Sequence, residues 1–245
     1  MQSLRADLHI HSVLSPCGGL EMSPNSIMQR LKQFGIQWLA ITDHNSMANC
    51  PAYQKVAEKE GLFFTWGVEI QSVEEIHLLA YFDDSSSAEK FNAELYESLF
   101  PLDNDPDFFG DQVIIDENEN ILRVEPRALI NSSEWNLNTV VEKVQAYNGL
   151  VVPAHIDSSV NSILSQLGFI PEVPQFQLFG ISACLDVKSW VQDNPYFKDK
   201  VFLRASDAHY LNDIGKGYSI ITVEKPSVQE LFLAAKGCGR RKIEI

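Results

Sequence analysis

The chain has few cysteines, few basic side chains and no long apolar run. Its four cysteines, Cys17, Cys50, Cys184 and Cys238, form no C-x-x-C pair, which excludes a disulfide framework or a zinc ribbon and suits a reducing setting. No apolar stretch approaches the ~20 residues needed to span a bilayer, and the N-terminus MQSLRADLHI lacks a basic-then-apolar signal pattern. These absences predict a soluble cytoplasmic protein with no membrane partner. Only 19 Lys and Arg stand against 33 Asp and Glu, a formal charge of −14. Such a balance opposes attraction to a long polyanion, so duplex nucleic acid is not expected as a partner. Divalent cations would offset part of the acid where carboxylates converge, and most of the rest reads as solvated helix surface, such as Glu58 and Glu60. A glycine-rich phosphate loop is also missing. The first strand exits through His9-Ile10-His11, not G-x-G-x-x-G, which counts against a nucleotide-binding open sheet.

What is present is a regular alternation. Apolar runs rich in β-branched residues recur at Ala6 to Ile10, Trp38 to Thr42, Leu62 to Val68, Ile76 to Phe82, Leu150 to Ala154, Leu178 to Cys184, Val201 to Ala205 and Tyr218 to Val223, and each is a strand candidate. Helical patterns lie between several of them. Ser23 before Pro24 opens one that Gly35 closes, a second runs from Asn138 to Asn148, and the last starts with Ser227 and Glu230 at capping-box spacing and stops at Gly237. Strands alternating with helices predict a largely parallel α/β fold, a closed barrel or an open doubly wound sheet. Residues 98–135 interrupt the pattern with FPLDNDPDFFGD and a hairpin-like VIID-ENEN-ILRVE, which reads as an insert or flap. No repeat or linker divides the chain, so a single domain over residues 1–245 is expected.

All six histidines, His9, His11, His44, His77, His155 and His209, sit beside an acidic residue or another histidine, or next to the end of an apolar run. Imidazole suits zinc, iron or manganese and carboxylates complete such sites, so a polynuclear metal centre is the leading expectation. His9 and His11, two apart on a strand, share a face with Asp7 and can grip one metal together. Asp207 and His209 repeat that spacing, with Arg204 on the opposite face and so outside any phosphate clamp. Glu69 ends the run LFFTWGVEI, and only QSVEE separates it from the run starting at His77. A hairpin there would set Glu69 next to His77 as a bridging carboxylate. Glu74 and Glu75 compete as turn acids, but an unpaired carboxylate at the end of a buried run is the costlier one. Asp43 and His44 face opposite ways in an extended segment, making His44 the ligand and Asp43 a group that orients another residue. His155 follows LVVPA at a strand end, Asp157 is either a ligand or a loop cap, and Cys17 in SPCGG is either a soft ligand or a small loop residue.

The ordered series DLHIHS, ITDHN, GVEI, the lone His77, PAH at His155 and SDAH at Asp207 to His209 resembles the polymerase and histidinol phosphatase (PHP) superfamily of phosphoesterases across nearly the whole chain. The resemblance implies a TIM-like, distorted seven-stranded (β/α) barrel, with residues 98–135 as a small hairpin insert, holding two or three divalent metal ions. It implies His9, His11, Glu69 and Asp207 around the first ion and Glu69, His77 and His155 around the second. His44 and His209 would hold the third, helped by a residue of the loop after the first motif. There the chain departs from the family, which often has an aspartate or histidine where this sequence reads Ser15-Pro16-Cys17. By spacing Cys17 is the substitute, and a thiolate favours zinc or iron.

The function that follows is a metal-dependent phosphoesterase using a metal-bridging hydroxide on a small phosphorylated metabolite or a short nucleotide, with zinc, manganese or iron as the metal. Two ions roughly 3.5–4 Å apart can acidify a shared water to a pKa of about 7 and hold both the attacking and the departing oxygen. Glu69, His44, His209 and Asp207 form the expected catalytic set, with Glu69 as the bridge and His44 or His209 steadying the phosphoryl oxygens or protonating the leaving group. The same site could instead cleave an amide or ester, or serve a non-catalytic, metal-stabilised binding module. Basic residues are few near the expected mouth, Lys216 being the one candidate, so no dedicated nucleotide cradle is legible.

Overall fold

The computed structural model describes residues 1–245. In chain order the elements are β1 (Gln2–Ile10), α1 (Pro24–Gln33), β2 (Trp38–Ile41), α2 (Cys50–Lys59), β3 (Phe63–Gln71), β4 (His77–Phe82), α3 (Ser85–Glu97), α4 (Pro106–Phe109), β5 (Val113–Ile115), β6 (Ile121–Val124), α5 (Leu137–Ala146), β7 (Leu150–Pro153), α6 (Ile163–Leu167), β8 (Leu178–Ile181), α7 (Val187–Asp193), β9 (Val201–Arg204), β10 (Ser219–Val223), α8 (Val228–Ala235) and β11 (Lys242–Glu244). No helix is long and apolar enough to cross a membrane. Every run expected to be a strand forms one, and β11 is added at the C-terminal end.

Seven strands make one sheet in the order β11-β10-β1-β2-β3-β4-β7. The expected parallel alternation holds only at its centre, where β1 pairs with β2 and β2 with β3. The other four pairings are antiparallel. Only five residues connect β3 to β4, Ser72 to Ile76, too few for the crossover that a parallel pair requires. The sheet curls into a half-barrel, and the separate parallel pair β8–β9 lies across its open side. Ile156 N–H, just beyond β7, donates to Gly180 O of β8 at 2.9 Å, and His11 N–H, at the exit of β1, donates to Ala208 O beyond β9 at 2.9 Å.

Side-chain alternation divides the packing into two layers. Leu4, Ala6 and Leu8 of β1, Trp38 and Ala40 of β2, Leu79 and Tyr81 of β4 and Val152 of β7 fill the concave interior with Val228, Leu231 and Ala234 of α8. Leu39, Ile41, Val68, Ile70, Leu78 and Ala80 point outward and pack under α1, α2, α3 and α5. Along β3 and β4 the inward face changes character, from Leu79 and Tyr81 deep in the interior to Glu69, Gln71 and His77 at one end. Gly67, next inward on β3, leaves no room for a side chain, since a Cβ there would lie 2.7 Å from Thr42 Cγ2 and 3.0 Å from Ile41 O.

The insert is fastened down. β5 and β6 form the expected hairpin, and Glu119 at its turn accepts from Ser23 Oγ at 2.9 Å, Asn25 N–H at 3.1 Å and Asn25 Nδ2 at 2.8 Å. A carboxylate from the insert thus caps α1, where Ser23 makes no side-chain cap of its own. At α8 half of the expected capping box forms. Ser227 Oγ accepts from Glu230 N–H, while the Glu230 carboxylate turns to Arg241, at 2.8 Å to both Nε and Nη2.

Leu231→Ala, at a fully buried position of α8, should lower unfolding free energy by about 2–5 kcal/mol without changing metal content. Urea denaturation and elemental analysis of the same preparation check both halves.

Candidate metal centre

The polar end of the interior gathers side chains from six places in the chain. His9 and His11 come from the end of β1, His44 follows β2, Glu69 lies on β3, His77 opens β4, His155 follows β7, and Asp207 and His209 follow β9. A register irregularity in β1 between Asp7 and Ile10 turns His9 and His11 inward together. It also separates Asp7 from them, contrary to the expected shared face, and the Asp7 carboxylate instead accepts Ser206 N–H at 3.0 Å. The β3–β4 register pairs Gln71 with His77 and Glu69 with Leu79, so Glu69 and His77 are diagonal neighbours, as a hairpin requires.

Glu69, 1% exposed at its side chain, is the focus. Its Oε1 lies 3.1 Å from His77 Nδ1, 3.1 Å from His155 Nε2 and 3.3 Å from His9 Nε2. Its Oε2 lies 3.2 Å from His44 Nδ1 and 3.4 Å from His11 Nε2. The two oxygens therefore face different sets of imidazoles, the geometry of a carboxylate able to bridge. Asp207 Oδ1 approaches His9 Nε2 at 3.1 Å and His11 Nε2 at 3.2 Å, and the rings of His11 and His209 stack at 4.0 Å. Three donor triads result, His9–His11–Glu69, His44–Glu69–His77 and His11–His44–His209, with the donor atoms of each within 4.8 Å of one another.

These donors fit divalent cations. Asp207 Oδ1 and His44 Nδ1 are buried and close to other donors, yet neither is aligned for a hydrogen bond, as expected of lone pairs converging on a shared ion rather than on each other. The electrostatics agree. Burial would raise the Glu69 carboxyl, but His77 and His9 outweigh it and hold the group well below the usual carboxylate range. Burial likewise opposes the Asp207 charge, and His9 and His11 overcome it. Burial depresses His11 and His155, but the neighbouring carboxylates, Asp207 and Glu69 for the first and Glu69 for the second, lift both above the ordinary imidazole value. Burial dominates at His44, held well below that value, and at His209, where burial and His11 bring it down to about 4.

A second ring of groups holds these ligands. His77 Nε2 faces Gln71 Oε1, which can only accept, at 3.0 Å and also abuts the Asn161 amide at 3.0 Å, so the Nδ1 lone pair is left on the Glu69 side, where it can serve a shared ion. His209 Nδ1–H donates to Asp207 O at 2.9 Å, leaving Nε2 free. His155 (φ +25) and Asp207 (φ +52) both adopt left-handed backbone, strain that the packing around the site must sustain. Gln71 could have been found in the sequence, since it stands two residues beyond Glu69 on the same strand face. Asn161 and Ser206 lie on loops and carry no such signal.

The other residues singled out in the sequence take different places. Cys17 joins none of the three triads, and burial pushes its thiol up to about 11. The loop that carries it wraps His209, with Gly19 N–H bonded to His209 O at 2.8 Å. Asp157 accepts Ser182 N–H at 2.9 Å, Glu74 accepts Leu137 N–H at the start of α5, and Lys216 pairs with Asp213 at 2.7 Å. The Arg204 guanidinium donates to the carbonyls of Ala183 and Leu185.

The family model of the PHP domain matches residues 7–150, a span that holds His9, His11, His44, Glu69 and His77. An uncharacterized Bacillus subtilis protein, YqxK, is 38% identical over 119 residues, 45% of this chain and 29% of its own. Among solved structures, the lesion-specific endonuclease Q of Pyrococcus furiosus superposes with a TM-score of 0.74 at 20% identity over 99% of this chain, and the chain spans 58% of that protein. A complex of endonuclease Q with a 27-mer duplex carrying an abasic lesion at its active site gives 0.75 at 18% identity, over 98% of this chain and 58% of that one. A Bifidobacterium adolescentis protein described as a candidate metal-dependent phosphoesterase gives 0.54 at 18% identity, over 83% of this chain and 87% of its own. The endonuclease Q complex overturns the exclusion of duplex nucleic acid drawn from net charge, because a protein that contains this fold is seen there bound to a duplex. Net charge sums the whole surface, whereas a duplex responds to the field where it lands, and metal ions reverse that field locally.

Glu69→Gln should abolish stoichiometric metal binding, read by elemental analysis after dialysis. Gln71→Ala, which frees His77 Nε2, should weaken binding by about 10–100-fold, read by chelator competition. In the wild type, protons held by His11 and His155 must leave as metal binds, so affinity should keep rising with pH above the ordinary imidazole range, and titration calorimetry in buffers of different ionisation enthalpy should register the released protons.

Proposed function

The chain belongs to the PHP domain family, and from that premise we propose that it is a metal-dependent hydrolase whose substrate bond is a phosphoric ester. The observation that carries the reading is Glu69, buried with each carboxylate oxygen turned to a different group of imidazoles. His9, His11, Glu69 and Asp207 would hold one ion, Glu69, His77 and His155 a second, and His44 with His209 a third, beside the loop that carries Cys17. When bound, zinc, manganese or iron would supply Lewis acidity and a nucleophilic water acidified towards neutrality.

The protein's own groups set the direction of approach. Side-chain exposure is 0–12% for His9, His11, His44, His77 and His155, but 25% for His209 and 35% for Asp207. Substrate therefore reaches the centre on the Asp207–His209 side. His209, with Nδ1–H committed to Asp207 O, presents Nε2 there, either to a third ion or to the leaving oxygen. The nearby cations are engaged elsewhere, Arg204 with carbonyls and Lys216 with Asp213, so neutralising the phosphoryl oxygens falls to the metals.

Two substrate classes fit this reading. A small phosphorylated metabolite or short nucleotide suits the absence of a basic cradle. A lesion-bearing duplex is favoured by the likeness to endonuclease Q over nearly the whole chain. The four free thiols fit a reducing cytoplasm in either case.

Metal-depleted protein supplemented with manganese, zinc or iron should release phosphate from a panel of phosphomonoesters and nucleotides, or nick a duplex containing an abasic site. Hydrolysis of amide or carboxylic ester substrates alone would defeat the phosphoester reading. His209→Gln should lower kcat by about 10²–10⁴-fold while keeping the ions around Glu69.

A further inference from the structure

Behind the metal-facing histidines lies a buried run of polar groups that the proposed chemistry does not use. Three donors converge on the Asp43 carboxylate. Its Oδ1 accepts Ser12 N–H at 2.6 Å and the Ser15 hydroxyl at 2.7 Å, and its Oδ2 accepts the Ser12 hydroxyl at 2.6 Å. Asp43, Ser12 and Ser15 are all buried.

The proton positions follow from groups that can act in only one sense. Asn49 is oriented by Ile115 N–H, which donates to its Oδ1, and by Val113 O, which accepts from its Nδ2. Its Nδ2 therefore also donates to Ser12 Oγ, at 3.0 Å, and Leu14 N–H does the same at 3.1 Å. Both lone pairs of Ser12 Oγ are then taken, and its own proton goes to Asp43. Ser15 Oγ receives His44 N–H at 3.3 Å and gives its proton to Asp43 Oδ1. The lone pair that remains on Ser15 faces His11 Nδ1 at 2.8 Å, so Nδ1 is the nitrogen that carries the proton once the His11 ring is neutral. Its Nε2 lone pair is thereby left pointing at His9 Nε2 (3.2 Å), Asp207 Oδ1 (3.2 Å) and Glu69 Oε2 (3.4 Å).

We propose that Asp43 and Ser15 are positioning residues that lock His11 as the Nδ1–H tautomer and so reserve its Nε2 for metal. A metal-bound histidine is often fixed by a carboxylate bonded directly to its far nitrogen. Here a serine hydroxyl stands between the two, relaying the orientation while keeping the full negative charge one bond further from the ion. The proposal rests on the metal reading above, because a histidine that binds no metal has no need of a fixed tautomer.

Long-range ¹H–¹⁵N correlation of imidazole-labelled protein tests it. In metal-free protein at alkaline pH, His11 should show a protonated Nδ1 and a bare Nε2, and added zinc should shift Nε2 alone. Wild-type protein with the proton on Nε2, or with zinc on Nδ1, would overturn the proposal without recourse to any variant. Ser15→Ala should give mixed His11 tautomers and zinc affinity weaker by about 10–100-fold with an unchanged far-ultraviolet spectrum; a single Nδ1–H tautomer and unchanged affinity in that variant would also overturn it. Wild-type protein that takes up no zinc at all would refute the metal reading instead, while the metal-free spectrum still decides the tautomer.

Discussion

A carboxylate buried among imidazoles is an electrostatic demand that the whole upper half of the molecule answers. Glu69 is withdrawn from water on the inward face of β3, and desolvation alone would neutralise it. It stays ionised because five rings from four other segments reach it within 3.1–3.4 Å. Those rings cannot all be charged at once, because burial penalises each charge and the charges repel one another; at His44 burial leads and the neighbouring His11 and His77 add to it. Protons on a few histidines satisfy the cluster partially, and divalent cations satisfy it fully, since one ion serves several lone pairs that otherwise crowd each other.

That demand explains the arrangement of the interior. The apolar floor formed by Leu4, Leu8, Trp38, Leu79, Tyr81 and the residues of α8 needs no specific partners and would tolerate small shifts. The cap has no such tolerance, because a ligand displaced by an ångström loses its ion. The connections therefore carry the rigidity. A tight hairpin fixes Glu69 against His77, left-handed backbone turns His155 and Asp207 inward, and side chains such as Gln71 and Ser15 hold the far nitrogens of the rings. Even the insert contributes, since Asn49, which steadies Ser12, is itself held by backbone groups of β5.

Much of this was legible in the chain because it rests on short-range rules. Period-two alternation puts His9 and His11 on one face, and a five-residue turn forces Glu69 beside His77. The strand runs were equally plain. What escaped was set by contacts distant in sequence. The bulge that separates Asp7 from His9 depends on how β1 meets β2, and the antiparallel edges depend on which strand ends lie close enough to pair. Cys17 had the right spacing, but spacing along a loop does not fix where a side chain points, and the donor triad nearest that loop is His11, His44 and His209. Hydroxyl relays are least visible of all, because serine is common and its proton direction emerges only when every neighbour is known.

Charge is where composition misled most, and the reason bears on substrate. A formal −14 describes the long-range field, which salt attenuates within about 8–10 Å. At the centre the relevant charges are Glu69, Asp207 and any ions bound between them, and two divalent cations would outweigh two carboxylates. An anionic ester would thus meet a locally positive centre set in a negative surround. Such a surround slows the approach of any polyanion but does not forbid it, and it favours release of an anionic product once the bond is cut. Selection among phosphoesters would then fall to the shape of the opening beside Asp207 and His209 rather than to a basic track along the surface.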